Sequence, residues 1–385
     1  MQTRVLFYVQ HLLGIGHLVR AGRIAAALSD SFEVLLVVGG ELPPGLLPDG
    51  VSLFVLPPVK AGPAGFSSLV HPDGRPFTPE DKAERRDLLL QCFDDFVPEV
   101  VLVEAFPFGR RAMRFELLPL MERAVAAAHR PLIACSIRDI LQEARPERRA
   151  ETVELVRRYF GLVLVHGDPR LAPLSASFPE AAEIAELVAY TGMVGPRQEG
   201  LLHGPVPPGD EEVYDVVVSV GGGAVGSRLL AAALAARPLT RLAAARWLVL
   251  AGPNAAELPS APGGDGGVTV RAFVPDLAAR LARARLSVSQ AGYNTAADLV
   301  AARCRAVLVP YAAGGETEQA RRAALLAARG LAVVVPEDEL DPATLAAAID
   351  RALALPAPEG GLPLDGAAFA RTVIERRLGM APAAA

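Results

Sequence analysis

The sequence predicts an α/β protein built from two doubly wound, parallel-sheet domains. Three observations predict it. Short apolar segments alternate with longer stretches of helical period along the whole chain. The apolar segments are continuous Val/Leu-rich runs, the pattern of strands covered on both faces. One aperiodic Gly/Pro-rich stretch, Gly195 to Asp210 (GPRQEGLLHGPVPPGD), separates two series of such units. At roughly 100–200 residues per domain, 385 residues also suit two domains.

The first series of expected strands runs Val5–Val9, Glu33–Val38, Ser52–Val55, Val100–Glu104, Leu132–Ser136, Leu162–His166 and Val188–Tyr190. The second runs Val216–Val220, Trp247–Ala251, Val268–Arg271, Leu286–Ser289, Ala306–Pro310 and Ala332–Val335. Helical period appears between them, for instance over Arg20–Leu28, Arg228–Ala236, Asp276–Ala284, Thr295–Arg303 and Glu318–Arg329. The expected boundaries are 1–197 for the first domain, 198–212 for the linker and 213–378 for the second domain. The last helix is a candidate to pack back on the first domain, and 379–385 form a frayed tail. Residues Pro57–Pro79, rich in Gly, Pro and Ser, read as a long surface loop.

Composition narrows the function classes. The chain has 38 Lys plus Arg against 43 Asp plus Glu, a formal charge of -5, so it lacks the basic excess of a nucleic-acid binder. Three cysteines without CxxC spacing fit neither a disulfide framework nor a zinc site, and point to a reducing, cytoplasmic setting. The N-terminal segment reads as a buried strand, not a signal peptide. No apolar run reaches the roughly 18 residues of a spanning helix.

The candidate chemistry clusters at strand-to-helix turns. After the first strand comes Gln10-His11-Leu12-Leu13-Gly14-Ile15-Gly16-His17-Leu18-Val19-Arg20. Glycines at such a turn let a ligand approach the backbone, and His17 there either caps the helix or serves as a general base. The second domain opens likewise. Val216–Val220 runs into Gly221-Gly222-Gly223, more glycine than a turn needs, which suggests a cradle for phosphate oxygens. No Gly-Lys-Ser/Thr follows, so it is not a Walker A loop. Further on, Ser289-Gln290-Ala291-Gly292-Tyr293-Asn294-Thr295-Ala296-Ala297-Asp298 leaves a strand. Thr295 and Asp298 have nearly the spacing of a capping box, so Asp298 is either a cap or an acceptor for a ribose diol. Glu318 and Gln319 open the next helix, as caps or as partners of sugar hydroxyls.

SQAGYNTAADLV followed by VLVPYAAGGETEQARRAALLAARG resembles the MurG-like glycosyltransferases, the type with a glycosyltransferase family 28 C-terminal domain. The resemblance implies GT-B architecture: two Rossmann-like domains facing a central cleft, with a nucleotide-sugar donor on the second and the acceptor on the first. GIGHLVR resembles the family's N-terminal Gly-rich loop, whose His faces the reaction centre. VGGGAVG resembles the donor phosphate loop, and Phe273 and Val274 fall in the segment that reads the uracil edge. Asp298 matches the ribose-binding acid, while Glu318 and Gln319 match the pair that holds the donor sugar. Gly292 and Thr295 belong to the same donor block. Two segments depart from MurG itself: Glu104-Ala-Phe106-Pro107-Phe108-Gly109-Arg110 and Ser136-Ile-Arg138-Asp139. They resemble a separate branch with no clear acceptor, so a peptidoglycan role does not carry over. The GxGHxxR form also resembles UDP-sugar hydrolases of the same fold.

The resemblance therefore implies inverting transfer from a UDP-sugar to a hydroxyl of a sugar, lipid-linked or small-molecule acceptor. His17 is the favoured base. Asp139 or Glu104 orients it or replaces it, unless both are caps or ion pairs. Gly14, Gly16, Arg20, Phe106 and Arg110 are candidate acceptor-side residues, and Arg197 a candidate cation for the leaving diphosphate. No Asp-x-Asp occurs in the chain, so no metal and no cofactor is expected. A peripheral contact with the inner face of the membrane fits a lipid-linked acceptor. The alternatives are a UDP-sugar hydrolase and a non-catalytic nucleotide-sugar-binding subunit.

Overall fold

The computed structural model describes residues 2–12, 15–40, 45–62, 65–196, 213–221, 226–252, 267–274, 276–359 and 361–380. Gly14, Arg197, Gly222, Gly223 and the linker 198–212 lie outside them. The chain divides into two compact units: Met1–Val194 with Asp365–Ala385, and Gly195–Leu364.

The first unit runs β1 (Arg4–Val9), α1 (Gly16–Leu28), β2 (Glu33–Val38), β3 (Val51–Val55), β4 (Lys60–Gly62), β5 (Gly65–Val70) and α2 (Pro79–Phe96). It continues through β6 (Val100–Glu104), α3 (Arg114–Ala126), β7 (Leu132–Arg138), α4 (Pro146–Tyr159), β8 (Leu162–His166) and β9 (Val188–Tyr190). Among the described residues its main sheet has the order β3-β2-β1-β6-β7-β8-β9, parallel throughout. Helices on both faces bury the central strands: every residue of β6 is buried, as are Val5 to Val9 of β1. Helix α2 starts where Thr78 and Asp81 cap each other reciprocally, with Pro79 in the first turn.

The Pro57–Pro79 segment is not the plain loop expected from its composition. β4 and β5 pair antiparallel within it, with an irregularity between Ala61 and Gly62. A Cβ on Gly62 would lie 2.4 Å from Ser68 Oγ, so that hydroxyl would have to turn aside.

The second unit runs β10 (Val216–Ser219), α5 (Ser227–Ala236), β11 (Trp247–Leu250), β12 (Val268–Arg271), α6 (Leu277–Arg283), β13 (Leu286–Ser289) and α7 (Tyr293–Ala302). It closes with β14 (Ala306–Leu308), α8 (Glu318–Ala327), β15 (Val333–Val334) and α9 (Pro342–Ala354). The described strands form a parallel sheet of order β12-β11-β10-β13-β14-β15 around buried Trp247. The last helix, α10 (Gly366–Arg377), leaves this unit and packs on α1. So the second unit ends at Leu364, not at 378. Arg371 ties α10 to the turn after α1, ion-pairing with Asp30 at 2.6 Å. Gly366 permits the crossing, since a Cβ there would lie 2.4 Å from the Gly192 carbonyl oxygen. Among the described residues no helix is long and apolar enough to cross a membrane.

Candidate active site

In open α/β sheets, ligands bind beyond the carboxyl ends of the strands, where the strand order reverses. In the first unit the reversal lies between β1 and β6. His17 follows β1 and Glu104 ends β6, so topology alone sets them side by side. His17 is the second residue of α1, whose N-cap is Ile15, so His17 is not the cap.

His17 Nδ1 lies 2.7 Å from Glu104 Oε1. An ionised carboxylate only accepts, so Nδ1 carries the proton and donates it, leaving Nε2 with the lone pair. Arg20 lies one helical turn after His17 and ion-pairs with the same Glu104 oxygen. Burial by itself would raise the Glu104 pKa; the charges of His17, Arg20 and Arg110 overcome this and hold the carboxyl well below the usual range. Burial and Arg110 push the His17 imidazole down to about 3, against the pull of Glu104. His17 is therefore neutral at pH 7, and its side chain keeps 22% exposure.

The other first-unit candidates separate. Asp139 does not orient His17: its Oδ1 accepts from the backbone N–H of Ile140 at 2.8 Å. Arg20 is buried in its ion pair and is not an exposed acceptor contact. Phe106 is fully buried in the hydrophobic core; a large apolar ring just past a central strand gains more by burial than by facing an acceptor. Gly16 starts α1.

One network here escaped sequence analysis. Buried Arg85 of α2 ion-pairs with Glu116 of α3 at 2.7 Å and donates to Gln10 Oε1 at 2.6 Å. Glu116 also accepts from Tyr8 of β1. Gln10 in turn donates to the His11 and Gly39 carbonyls at 2.6 and 2.7 Å, bracing the start of the loop that leads to His17. These partners are far apart in sequence, so no local spacing announces them. A second missed group is fully buried His166, held between Ser136 Oγ and Thr191 Oγ1 at 2.8 Å each. Burial pushes its imidazole down to about 3.

In the second unit the order reverses between β10 and β13. Gly221, after β10, has φ +68, the left-handed region that favours glycine. Gly226 precedes α5 with φ +138, and a Cβ there would lie 2.4 Å from Val220 Cβ. Helix α5 has no side-chain N-cap.

Beyond β13, Gly292 is the N-cap of α7, again without a side-chain cap. Thr295 is thus inside the helix rather than at its N-cap, and Asp298, a turn further on, is buried within the same helix. The helix begins at Tyr293, earlier than the Thr-x-x-Asp spacing suggested. Gln319 Oε1 accepts from the backbone N–H groups of Ala291 and Tyr311, each at 3.1 Å, tying the loops after β13 and β14 together. Buried Glu318 ion-pairs with Arg322 at 2.7 Å, and Arg322 donates to the Ala291 carbonyl at 3.0 Å. Gly292, Glu318 and Gln319 thus converge on one loop, with Thr295 and Asp298 in the helix that leaves it. Past β12, Val274 is buried, while Phe273 keeps 36% exposure. Ser289 Oγ and Thr317 Oγ1 are buried without a hydrogen-bond partner among the described residues.

Residues 217–358 match the glycosyltransferase family 28 C-terminal domain. A Synechococcus sp. (strain JA-3-3Ab) protein is 36% identical over 166 residues, 41% of this chain and 44% of that protein. It is a UDP-N-acetylglucosamine--N-acetylmuramyl-(pentapeptide) pyrophosphoryl-undecaprenol N-acetylglucosamine transferase. The chain spans less than half of the length of the curated relatives it matches first, 24%, 44% and 29%. Among solved structures, the kitacinnamycin glycosyltransferase superposes with a TM-score of 0.59 at 14% identity, covering 98% of this chain and all of that one. MurG of Acinetobacter baumannii superposes with a TM-score of 0.52 at 16% identity, covering 96% and 95%. Both structural likenesses show the fold, GT-B with two Rossmann-like units, and the sequence match to the family 28 C-terminal domain falls in the second unit.

Proposed function

From a MurG-like chain of GT-B architecture, we propose an enzyme that transfers a sugar from a UDP-sugar to an acceptor hydroxyl with inversion. The observation that carries the reading is the His17–Glu104 pair at the strand reversal of the first unit. A neutral imidazole with its Nδ1–H held by a carboxylate presents Nε2 as a proton acceptor. As the acceptor oxygen attacks C1 of the sugar, its proton passes to Nε2 and the C1–O bond to UDP breaks on the opposite face. Glu104 stabilises the imidazolium that forms. Charge growing on the diphosphate falls to backbone N–H groups of the glycine-rich turn before α5 and to the positive end of that helix. Asp298 takes the ribose diol, and Gln319 shapes the loop beside it. The sugar is a hexose or N-acetylhexosamine. No metal is called for, since no Asp-x-Asp is present to hold one. The three cysteines are free and buried, in keeping with a cytoplasmic enzyme that meets its acceptor in solution or at the membrane face.

The test is UDP release from a panel of UDP-sugars in EDTA, with and without a cell extract as acceptor source. Transfer requires release that the extract accelerates. Fast release in buffer alone, yielding free sugar at a rate the extract does not change, makes the protein a hydrolase. UDP binding with no release under any condition makes it a binding subunit. Loss of activity in EDTA that Mn²⁺ or Mg²⁺ restores removes the metal-free part of the mechanism.

A further inference from the structure

From the turn after β6 into the start of α3 there are three arginines within five residues, Arg110, Arg111 and Arg114. Two of them are neutralised, for Arg111 and Arg114 both ion-pair with Glu151 of α4. Arg110 is not. Among the described residues it makes no hydrogen bond or ion pair, and its Nε is buried. Arg110 lies close enough to Glu104, His17 and His11 to act on their charges, and Arg138 at the end of β7 lies close enough to repel it. Two more buried atoms in this neighbourhood, His11 Nδ1 and Glu104 Oε2, also have no hydrogen-bond partner among the described residues. The backbone is held in a disfavoured form here: Ala105 has φ +65 and Arg110 has φ +55, both in the left-handed region.

Arg110 is half-buried with its Nε shut off from water and unpartnered among the described residues, which is costly, and a guanidinium does not relieve the cost by losing its proton. Its planar fork matches the two oxygens of a carboxylate or phosphate. We infer that Arg110, with Arg138 near it, forms an oxyanion subsite beside His17, and that the sugar acceptor carries a phosphate or carboxylate group close to its attacking hydroxyl. This inference rests on the transfer reading, because it assigns the anion to the acceptor. It also gives the subsite a second task. An anion on Arg110 cancels a positive charge that holds the imidazole down, so binding it strengthens His17 as a base.

The experiment uses the full chain saturated with UDP, so that the donor site is filled. Inorganic phosphate and, separately, acetate are titrated at constant ionic strength, and thermal stability is followed. At least one anion should raise the melting temperature, and Arg110→Gln should weaken that anion about 10–100-fold. Arg110→Lys, which keeps the charge without the fork, should lie between. Arg86→Gln, at a half-buried arginine of α2 paired with Asp87, should match the wild type. The stronger anion tells a phosphorylated acceptor from a carboxylated one. NMR titration of His17 in the wild type needs no variant: its midpoint should move to higher pH when that anion is bound. No stabilisation by either anion, or equal stabilisation of Arg110→Gln, overturns the subsite. Stabilisation by UDP itself tests the donor reading separately, and its absence would count against transfer while leaving the anion result readable.

Discussion

The reversal between β1 and β6 is crowded with charge: His17, Glu104, Arg20 and Arg110 act on one another there. The reversal between β10 and β13 is built largely of backbone. Glycines in left-handed turns precede α5, and Gln319 occupies its carbonyl with two backbone N–H groups. Its nearby charges, Glu318 and Arg322, are paired in the wall. The same sheet topology thus supports two kinds of edge. A charged edge can move a proton. A backbone edge can hold a flat, anionic, hydroxyl-bearing ligand. The proposed reaction needs one of each.

The comparison breaks most visibly at His17. His17→Ala should lower kcat about 10²–10⁴-fold with little change in the donor KM, read from steady-state UDP release. A loss confined to KM would move His17 from proton transfer to binding.

Next comes Asp298→Ala on the other edge. It should weaken UDP about 10–100-fold, the worth of a charge-assisted hydrogen bond. Asp298 lies inside α7 rather than at its N-cap, so a lost N-cap of that helix does not confuse the result.

Gln319→Ala sharpens the claim that its carbonyl braces the backbone edge. Two N–H groups lose their partner, at a cost of about 1–3 kcal/mol each if they stay buried, so the melting transition of the second unit should fall by several degrees. An unchanged transition would mean the loops hold themselves.

The smallest effect is acid sensitivity. All five described histidines lie in the first unit; the sixth, His203, is outside the described residues. His17 and His166 sit at about 3 in the folded chain, below the ordinary 6.5 of the unfolded one. Between those values the unfolded state binds more protons, so stability falls as pH drops below about 6.5, by roughly 1 kcal/mol for each residue at pH 5.5. The first unit's transition should move down between pH 7 and 5.5 while the second unit's holds. Equal movement would deny that burial keeps these imidazoles neutral.

Much of this was legible in the sequence because central parallel strands are buried on both faces, and continuous runs such as VVLVE and VVVS have no other good home. His17 and Glu104 were legible as separate candidates at strand ends. Their pairing was not, since choosing between Glu104 and Asp139 needs the strand order. The β4–β5 hairpin was hidden because its Gly, Pro and Ser content reads as loop. Helix α10 declares its place only through distant partners such as Asp30. Phe106 misled because an aromatic next to arginines looks like a binding loop until the core claims it. Thr295 misled because the spacing of a cap does not say where the helix starts.

The central claim is that the first unit's edge does the chemistry and the second unit's edge holds the donor. Calorimetric titration of UDP into His17→Ala and Asp298→Ala tests it most directly. His17→Ala should bind UDP within about twofold of the wild type, while Asp298→Ala should lose about 10–100-fold. UDP affinity that falls with His17→Ala and survives Asp298→Ala would contradict it.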